Sequence, residues 1–385
     1  MKKSKRKIAL LLVLSMMVGL LGGCSGSGSS TAEESTAEET EAQETAEETT
    51  EDVETTEDEE SGTRSVTLVD GYVVEGLPEE INRIAALFGP SYERLVVLGA
   101  EDRIVACASM HQSSWPWASV VYKYVNSDDM VTIESPQSGL NVEDLLQYDL
   151  DVCFYWRNED VLKALENVGI AAVPYNAYTG VDSIKQELYG YAQVLGDDEA
   201  MERYEAYAEY WDETLAEVTA VTDTIPESER KTVYFAYSEL LSTIGQEDDL
   251  MAVIEYAGGI PVSSDLEVDG DIDKEQLISW NPDYIFTDHT SDPQAVTEEV
   301  LTDKDYANIT AVMDENVYSV PSGVFYWDAG VGIIMMIKWM AVTMYPEYFP
   351  DVDMTAELQD FYAQFYDYDL SAEEAELMLQ SLDPA

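Results

Sequence analysis

Two histidines, an arginine and a set of large aromatic residues stand at the ends of this chain's apolar runs. His111 follows "DRIVACASM" and His289 follows "DYIFTD"; they are the only histidines among 385 residues. The same ends carry Phe88, Tyr92, Met110, Trp115, Trp156, Arg157 and Tyr175 in the first half. In the second half they carry Tyr237, Asp288, Phe325, Tyr326 and Trp327. So many rings offer flat apolar area, and the few polar groups among them would orient what they hold. That chemistry is recognition of a large, flat or apolar-rimmed molecule such as a metal chelate. His111 and His289 either reach a bound metal complex from opposite sides or act as ordinary loop histidines. Arg157 is the candidate for an anionic group on such a molecule, or a plain surface arginine.

Covalent chemistry finds no support. No GxSxG elbow, HExxH helix, phosphate loop or GxGxxG turn follows an apolar run, so an enzyme is not expected. No Cys/His cluster suggests a structural zinc, and no cofactor is called for. The formal net charge of −59 repels nucleic acid. Cys107 and Cys153 lie in apolar runs and read as buried free thiols, with a disulfide between neighbouring strands as the alternative.

These residues are positioned by an alternation of short apolar strands and helices, the mark of an α/β fold. "NRIAAL", "DRIVACAS", "DVCFYW" and "IAAVPY" form one series of strands; "KTVYFAYS", "DYIFTD" and "NVYSVP" form a second. The runs are continuously apolar, as in parallel sheets covered on both faces. Between the series Met201, Tyr204, Ala208, Trp211, Leu215 and Val218 recur at steps of three and four, predicting one long amphipathic helix.

One corner is written twice. "NVEDLLQYDLDVCFYW" begins at Asn141 and "DKEQLISWNPDYIFTD" at Asp273. Glu143 aligns with Glu275, Leu145 with Leu277, Asp151 with Asp283 and Phe154 with Phe286, each pair 132 residues apart. Both glutamates fall in the first turn of a helix, where the dipole favours an anion.

At the N-terminus a basic segment precedes the apolar run "IALLLVLSMMVGLL", which is short for a membrane span and fits a signal peptide over residues 1–23. It ends at Leu21-Gly22-Gly23-Cys24, which resembles the lipobox of bacterial lipoproteins. That resemblance implies cleavage before Cys24 and lipid on its sulfur. The Thr/Ala/Glu-rich stretch within 24–62 carries almost no large apolar residue and predicts a disordered tether. The folded body then divides into an N-terminal lobe (63–196), a spanning helix (197–223) and a C-terminal lobe with the terminal helices (224–385).

From about Arg83 to Leu382 the chain resembles the extracellular substrate-binding proteins of ABC importers for iron–siderophores, haem and cobalamin. The resembling segments are "NRIAALFGPSYERLVVLGAEDRIVACAS", "LNVEDLLQYDLDVCFYW", "LGDDEAMERYEAYAEYWDE", "DKEQLISWNPDYIFTD", "VYSVPSGVFYWDAG" and "WMAVTMYPEYF". The resemblance implies two Rossmann-like lobes with parallel sheets, one long rigid connecting helix and a ligand cleft between the lobes. It implies a permease dimer with ATPase subunits as partner, and gives Glu143 and Glu275 the role of docking to permease arginines. The implied cargo is an iron chelate or cobalamin, with a molybdate- or tungstate-type oxyanion as the alternative. Two histidines argue against the zinc and manganese receptors of similar design. The implied location is outside the cell membrane on a lipid anchor, a Gram-positive surface being favoured over a periplasm.

Overall fold

The chain enters its fold through a small antiparallel sheet: β1 (Thr55–Asp58), β2 (Thr63–Thr67) and β3 (Val73–Pro78). The computed structural model describes residues 55–58, 62–108, 116–134, 136, 139–175, 181–288 and 293–384. β1 pairs with β2 from Thr55↔Val66 to Asp58↔Thr63. The folded body therefore starts before the boundary at 62 that composition suggested, because ladder hydrogen bonds need no apolar side chain. Arg64 on β2 is buried and donates to the carbonyls of Gln193, Val194 and Leu195. These close the helix Ser183–Leu195, whose last carbonyls have no acceptor role within the helix and carry the negative end of its dipole. Gly196 follows in the left-handed region, and a Cβ there would meet the Arg64 guanidinium.

The first lobe is a parallel sheet of β4 (Ile84–Ala86), β5 (Ile104–Ala108), β6 (Val131–Ile133), β7 (Val152–Trp156) and β8 (Ala171–Tyr175). Its order is β6-β5-β4-β7-β8. Val152, Cys153, Phe154 and Tyr155 are all buried, so both faces of β7 are covered, as the continuous apolar run requires. Cys153 and Cys107 are free thiols on β7 and β5, each paired with β4 and packed into different core clusters. Burial pushes the Cys107 thiol up to about 12.

The second lobe is built around β9 (Thr232–Tyr237), β10 (Ser242–Thr243), β11 (Ile260–Pro261), β12 (Gly270–Asp271), β13 (Tyr284–Asp288) and β14 (Val317–Ser319). The order is β12-β10-β9-β13-β14, with β11 also on β9. β11, β13 and β14 join in parallel, whereas β10 and β12 are antiparallel additions, so this sheet is mixed. Register repeats between the lobes. Ala85↔Cys153 and Ala86↔Phe154 correspond to Tyr234↔Ile285 and Phe235↔Phe286.

One helix of 25 residues, Asp198–Thr222, joins the lobes. Asp197 caps it by accepting from Ala200 N–H at 2.8 Å. Its buried ridge is Ala200, Tyr207, Trp211, Thr214, Val218 and Thr222: Trp211 and Val218 are as predicted, while Ala200, Tyr207 and Thr214 fall one residue before predicted positions. Tyr207 is tolerated there because its hydroxyl donates to the Val331 carbonyl at 2.8 Å. The terminal helices Ile333–Met344, Met354–Phe365 and Ala372–Leu379 reach beyond the second lobe. Trp117 Nε1 of the first lobe donates to Leu382 O, and Arg203 of the joining helix donates to Phe365 O. Among the described residues no helix is long and apolar enough to cross a membrane.

Candidate functional site

The carboxyl ends of β4, β7 and β8 bring three rings together. Register places Trp156 beside Tyr175, and the two stack with centroids 5.8 Å apart. Phe88, just past β4, leans on both, 5.0 Å from Trp156 and 4.6 Å from Tyr175. Trp156 is 44% exposed, the apolar face of this wall. Such a cluster is rigid because each ring is held by two others.

The second lobe answers with tyrosines and carboxylates. Tyr237 ends β9 and pairs in register with Asp288, which ends β13. Burial, then the charges of Asp328, Asp288 and Asp248, push the Tyr237 hydroxyl upward. Burial with Asp288 and Asp328 does the same for Tyr326. Asp328 also raises Tyr175, behind burial and against the guanidinium of Arg94, so its charge is felt on both walls. Asp248 accepts from Leu250 N–H at 2.8 Å and is raised to about 6, by burial first and then by Asp269, Asp249 and Asp328. Among the described residues no group of three or more His, Cys, Asp or Glu side chains is arranged to hold a bare metal ion.

Beneath the walls a buried charge cluster ties the lobes. Arg94 is fully buried; its Nε donates to Glu187 Oε2 at 2.6 Å and its Nη2 to the Ala329 carbonyl at 3.1 Å. Burial opposes its charge, and Glu187 together with Tyr175, Glu93 and Tyr191 more than restores it. Next to it Glu93 accepts from Val331 N–H at 3.1 Å and from Tyr366 O–H at 2.7 Å. Burial pushes the Glu93 carboxyl up, against Arg94 and these hydrogen bonds. The segment carrying Asp328 is thereby fastened to the first-lobe helix Gly89–Val97.

The repeated corner lies at the other end of the strands. Asp151 Oδ2 accepts from Asn82 and Arg83 N–H at 2.7 and 2.8 Å; Asp283 Oδ2 accepts from Thr232 N–H and Oγ1, both at 2.9 Å. Asp149 (φ 51) and Asn281 (φ 47) end the two helical turns in the same left-handed conformation, one that Asp and Asn tolerate. Leu145 and Leu277 are both wholly buried, which anchors each turn. Glu143 and Glu275 are exposed, and neither has a hydrogen bond or ion pair among the described residues. Lys274 turns instead to Asp303 and Asp305. A separate polar hollow of about 360 Å³ lies near Arg230, Lys231, Asp283 and Glu347, at the amino ends of the strands and away from the cleft walls.

The family model described as periplasmic binding protein matches residues 84–324. The chain belongs to that family. It is the substrate-binding protein of an ABC importer, extracytoplasmic and not an enzyme. This binding protein is 25% identical over 324 residues, 75% of its own length and 87% of the relative, to the molybdate-binding protein MolA of Haemophilus influenzae. It is similar to a periplasmic solute binding protein of Veillonella parvula, with TM-score 0.71, 25% identity and coverage of 82% and 97% of the two chains. The fold also matches MolA of Haemophilus influenzae bound to molybdate, with TM-score 0.65, 22% identity and 80% and 99% coverage.

Of the binding residues expected from strand ends, Phe88, Trp156, Tyr237 and Tyr326 lie on the two walls. Tyr92 does not: it is 0% exposed, donates to Glu101 at 3.2 Å and packs on Tyr122 in the core. Trp327 is also buried, its ring against Gly332, and Phe325 is 8% exposed. Arg157 points to Asp70 at 2.5 Å and Glu159 at 3.6 Å, over the ring of Tyr72, so its charge is already matched. Cys24, Met110, His111, Trp115 and His289 lie outside the described residues. Asp248, Asp328, Glu93 and Arg94 were missed. For the last two the available signal was a charge pair in the apolar stretch "SYERLVV".

Proposed function

We propose that this binding protein captures a flat, neutral or cationic metal chelate of the iron–siderophore, haem or cobalamin kind and delivers it to its permease. The observation that carries this is the contrast of the strand ends: an aromatic cluster of Phe88, Trp156 and Tyr175 on the first lobe, against tyrosines and the carboxylates of Asp288 and Asp328 on the second. Aromatic area suits a broad ligand, and the acids favour positive over negative charge. In this proposal Glu143 and Glu275 dock the two lobes on the permease dimer, and lipid on Cys24 keeps the receptor near it.

A molybdate-type oxyanion is the second reading, and the 25% identity to MolA favours it. Oxyanion binding calls for convergent donors. Arg94 and Arg157 are both engaged by carboxylates, which weighs against it.

The test is a ligand series on the body from Thr55: haem, cobalamin, ferric hydroxamate and catecholate siderophores, molybdate and tungstate. Saturable quenching of tryptophan fluorescence by one neutral or cationic chelate, with micromolar or tighter affinity, is expected. A response confined to molybdate or tungstate would replace the first reading with the second.

A further inference from the structure

Beside each tip glutamate stands an exposed aliphatic side chain. Leu146 follows Glu143 by three residues, and Ile278 follows Glu275 by three. They are 52% and 41% exposed, among the few large apolar side chains so placed. The first turn is a 3-10 helix (Val142–Tyr148) and the second an α-helix (Lys274–Trp280). In both geometries residues three apart share a face, so each glutamate and its aliphatic neighbour point outward together.

The match extends through the corner. From Asn141 to Leu150 and from Asp273 to Pro282 the order of exposed, intermediate and buried positions is the same except at Val142 and Lys274. Anchoring is already done by Leu145 and Leu277, so Leu146 and Ile278 are not needed to hold the turns in place. A single exposed leucine is ordinary. Two at equivalent places, each next to an unpaired carboxylate, form a surface presented twice.

Such a surface fits a partner that also presents its own surface twice. We infer that Leu146 and Ile278 are docking residues for the permease dimer, each inserting into an apolar hollow beside a permease cation that meets the adjacent glutamate, an inference that rests on the docking role proposed above. An exposed ion pair alone contributes little in open water. Burying an aliphatic side chain beside it adds area and excludes that water.

The experiment measures binding of the receptor to its permease–ATPase complex in nanodiscs across a salt series. Leu146→Ser with Ile278→Ser is expected to weaken docking by roughly 25-fold, roughly fivefold for each half-exposed side chain, and to leave the salt dependence as in the wild type. Leu146→Met with Ile278→Met is expected to restore docking. Glu143→Gln with Glu275→Gln is expected to weaken docking and flatten its salt dependence. If the serine pair docks within twofold of wild type while the glutamine pair is impaired, the apolar role is overturned and the glutamate role stands. If the glutamine pair docks normally, the docking reading itself fails.

Discussion

At the tips the two lobes are near copies. Glu143, Leu145, Leu146 and Asp151 correspond to Glu275, Leu277, Ile278 and Asp283 in exposure, and each of the two aspartates accepts a backbone N–H at the start of the neighbouring strand. At the cleft ends of the same strands the correspondence stops. Phe88 stands where the second lobe has Tyr237, and exposed Trp156 stands where it has Asp288. The scaffold is shared throughout, so the divergence is not imposed by the sheets. The tips offer two equal surfaces; the cleft ends of the strands offer an aromatic surface on one lobe and a more polar one on the other.

The most severe way to break this pairing is at the joint. Arg94→Met would leave Glu187 and Glu93 buried beside a neutral side chain and release Ala329, costing about 3–5 kcal/mol in urea unfolding. A cost below about 1 kcal/mol would mean that the cluster does not fasten the lobes. Next come the corner aspartates. Asp283→Ala should cost about 2 kcal/mol and Asp151→Ala about 1 kcal/mol, since the bonds of Asp283 are part-buried and those of Asp151 exposed. The reverse order would show that the two corners are less alike than their geometry.

A further effect is a pH dependence that rests on the second lobe. Asp248 is raised from 3.8 to about 6, so the fold disfavours its charge. Stability from this group is fully present below pH 3.8, falls as pH rises towards 6 and is level above that. Asp248→Asn keeps an acceptor for Leu250 N–H and should remove that slope in denaturation measured from pH 4 to 7.5. An unchanged slope would assign it to other carboxylates.

The strands, the joining helix and the doubled corner were legible because parallel strands covered on both faces must be continuously apolar, and a repeated Glu–Leu–Asp–Phe pattern needs no knowledge of contacts. The helix stripe was right at Trp211 and Val218 but had Ala208 where Tyr207 is buried, because Tyr207 buries its ring with Val331 O as partner, a contact over 100 residues away in sequence. Strand-end position alone does not give side-chain direction, which is why Tyr92 and Trp327 were expected in the cleft and are found in the core. Arg157 was left open between an anion site and a surface arginine because Asp70 is distant in sequence. Arg94 was overlooked because a charge in a short helix ordinarily faces water, and its partner Glu187 lies on another helix and meets it only after folding.

The central claim, that the equal tips serve the permease and the unequal walls serve the ligand, is tested most directly by measuring docking and ligand binding on the same two variants. Glu143→Arg with Glu275→Arg should lose docking by more than about a hundredfold and keep its affinity for the chelate found in the ligand series. Trp156→Ala should keep docking and lose chelate affinity by roughly tenfold to a hundredfold. If instead the charge reversal weakens ligand binding as much as docking, or Trp156→Ala leaves chelate affinity intact, tips and cleft do not divide the work as their symmetry suggests.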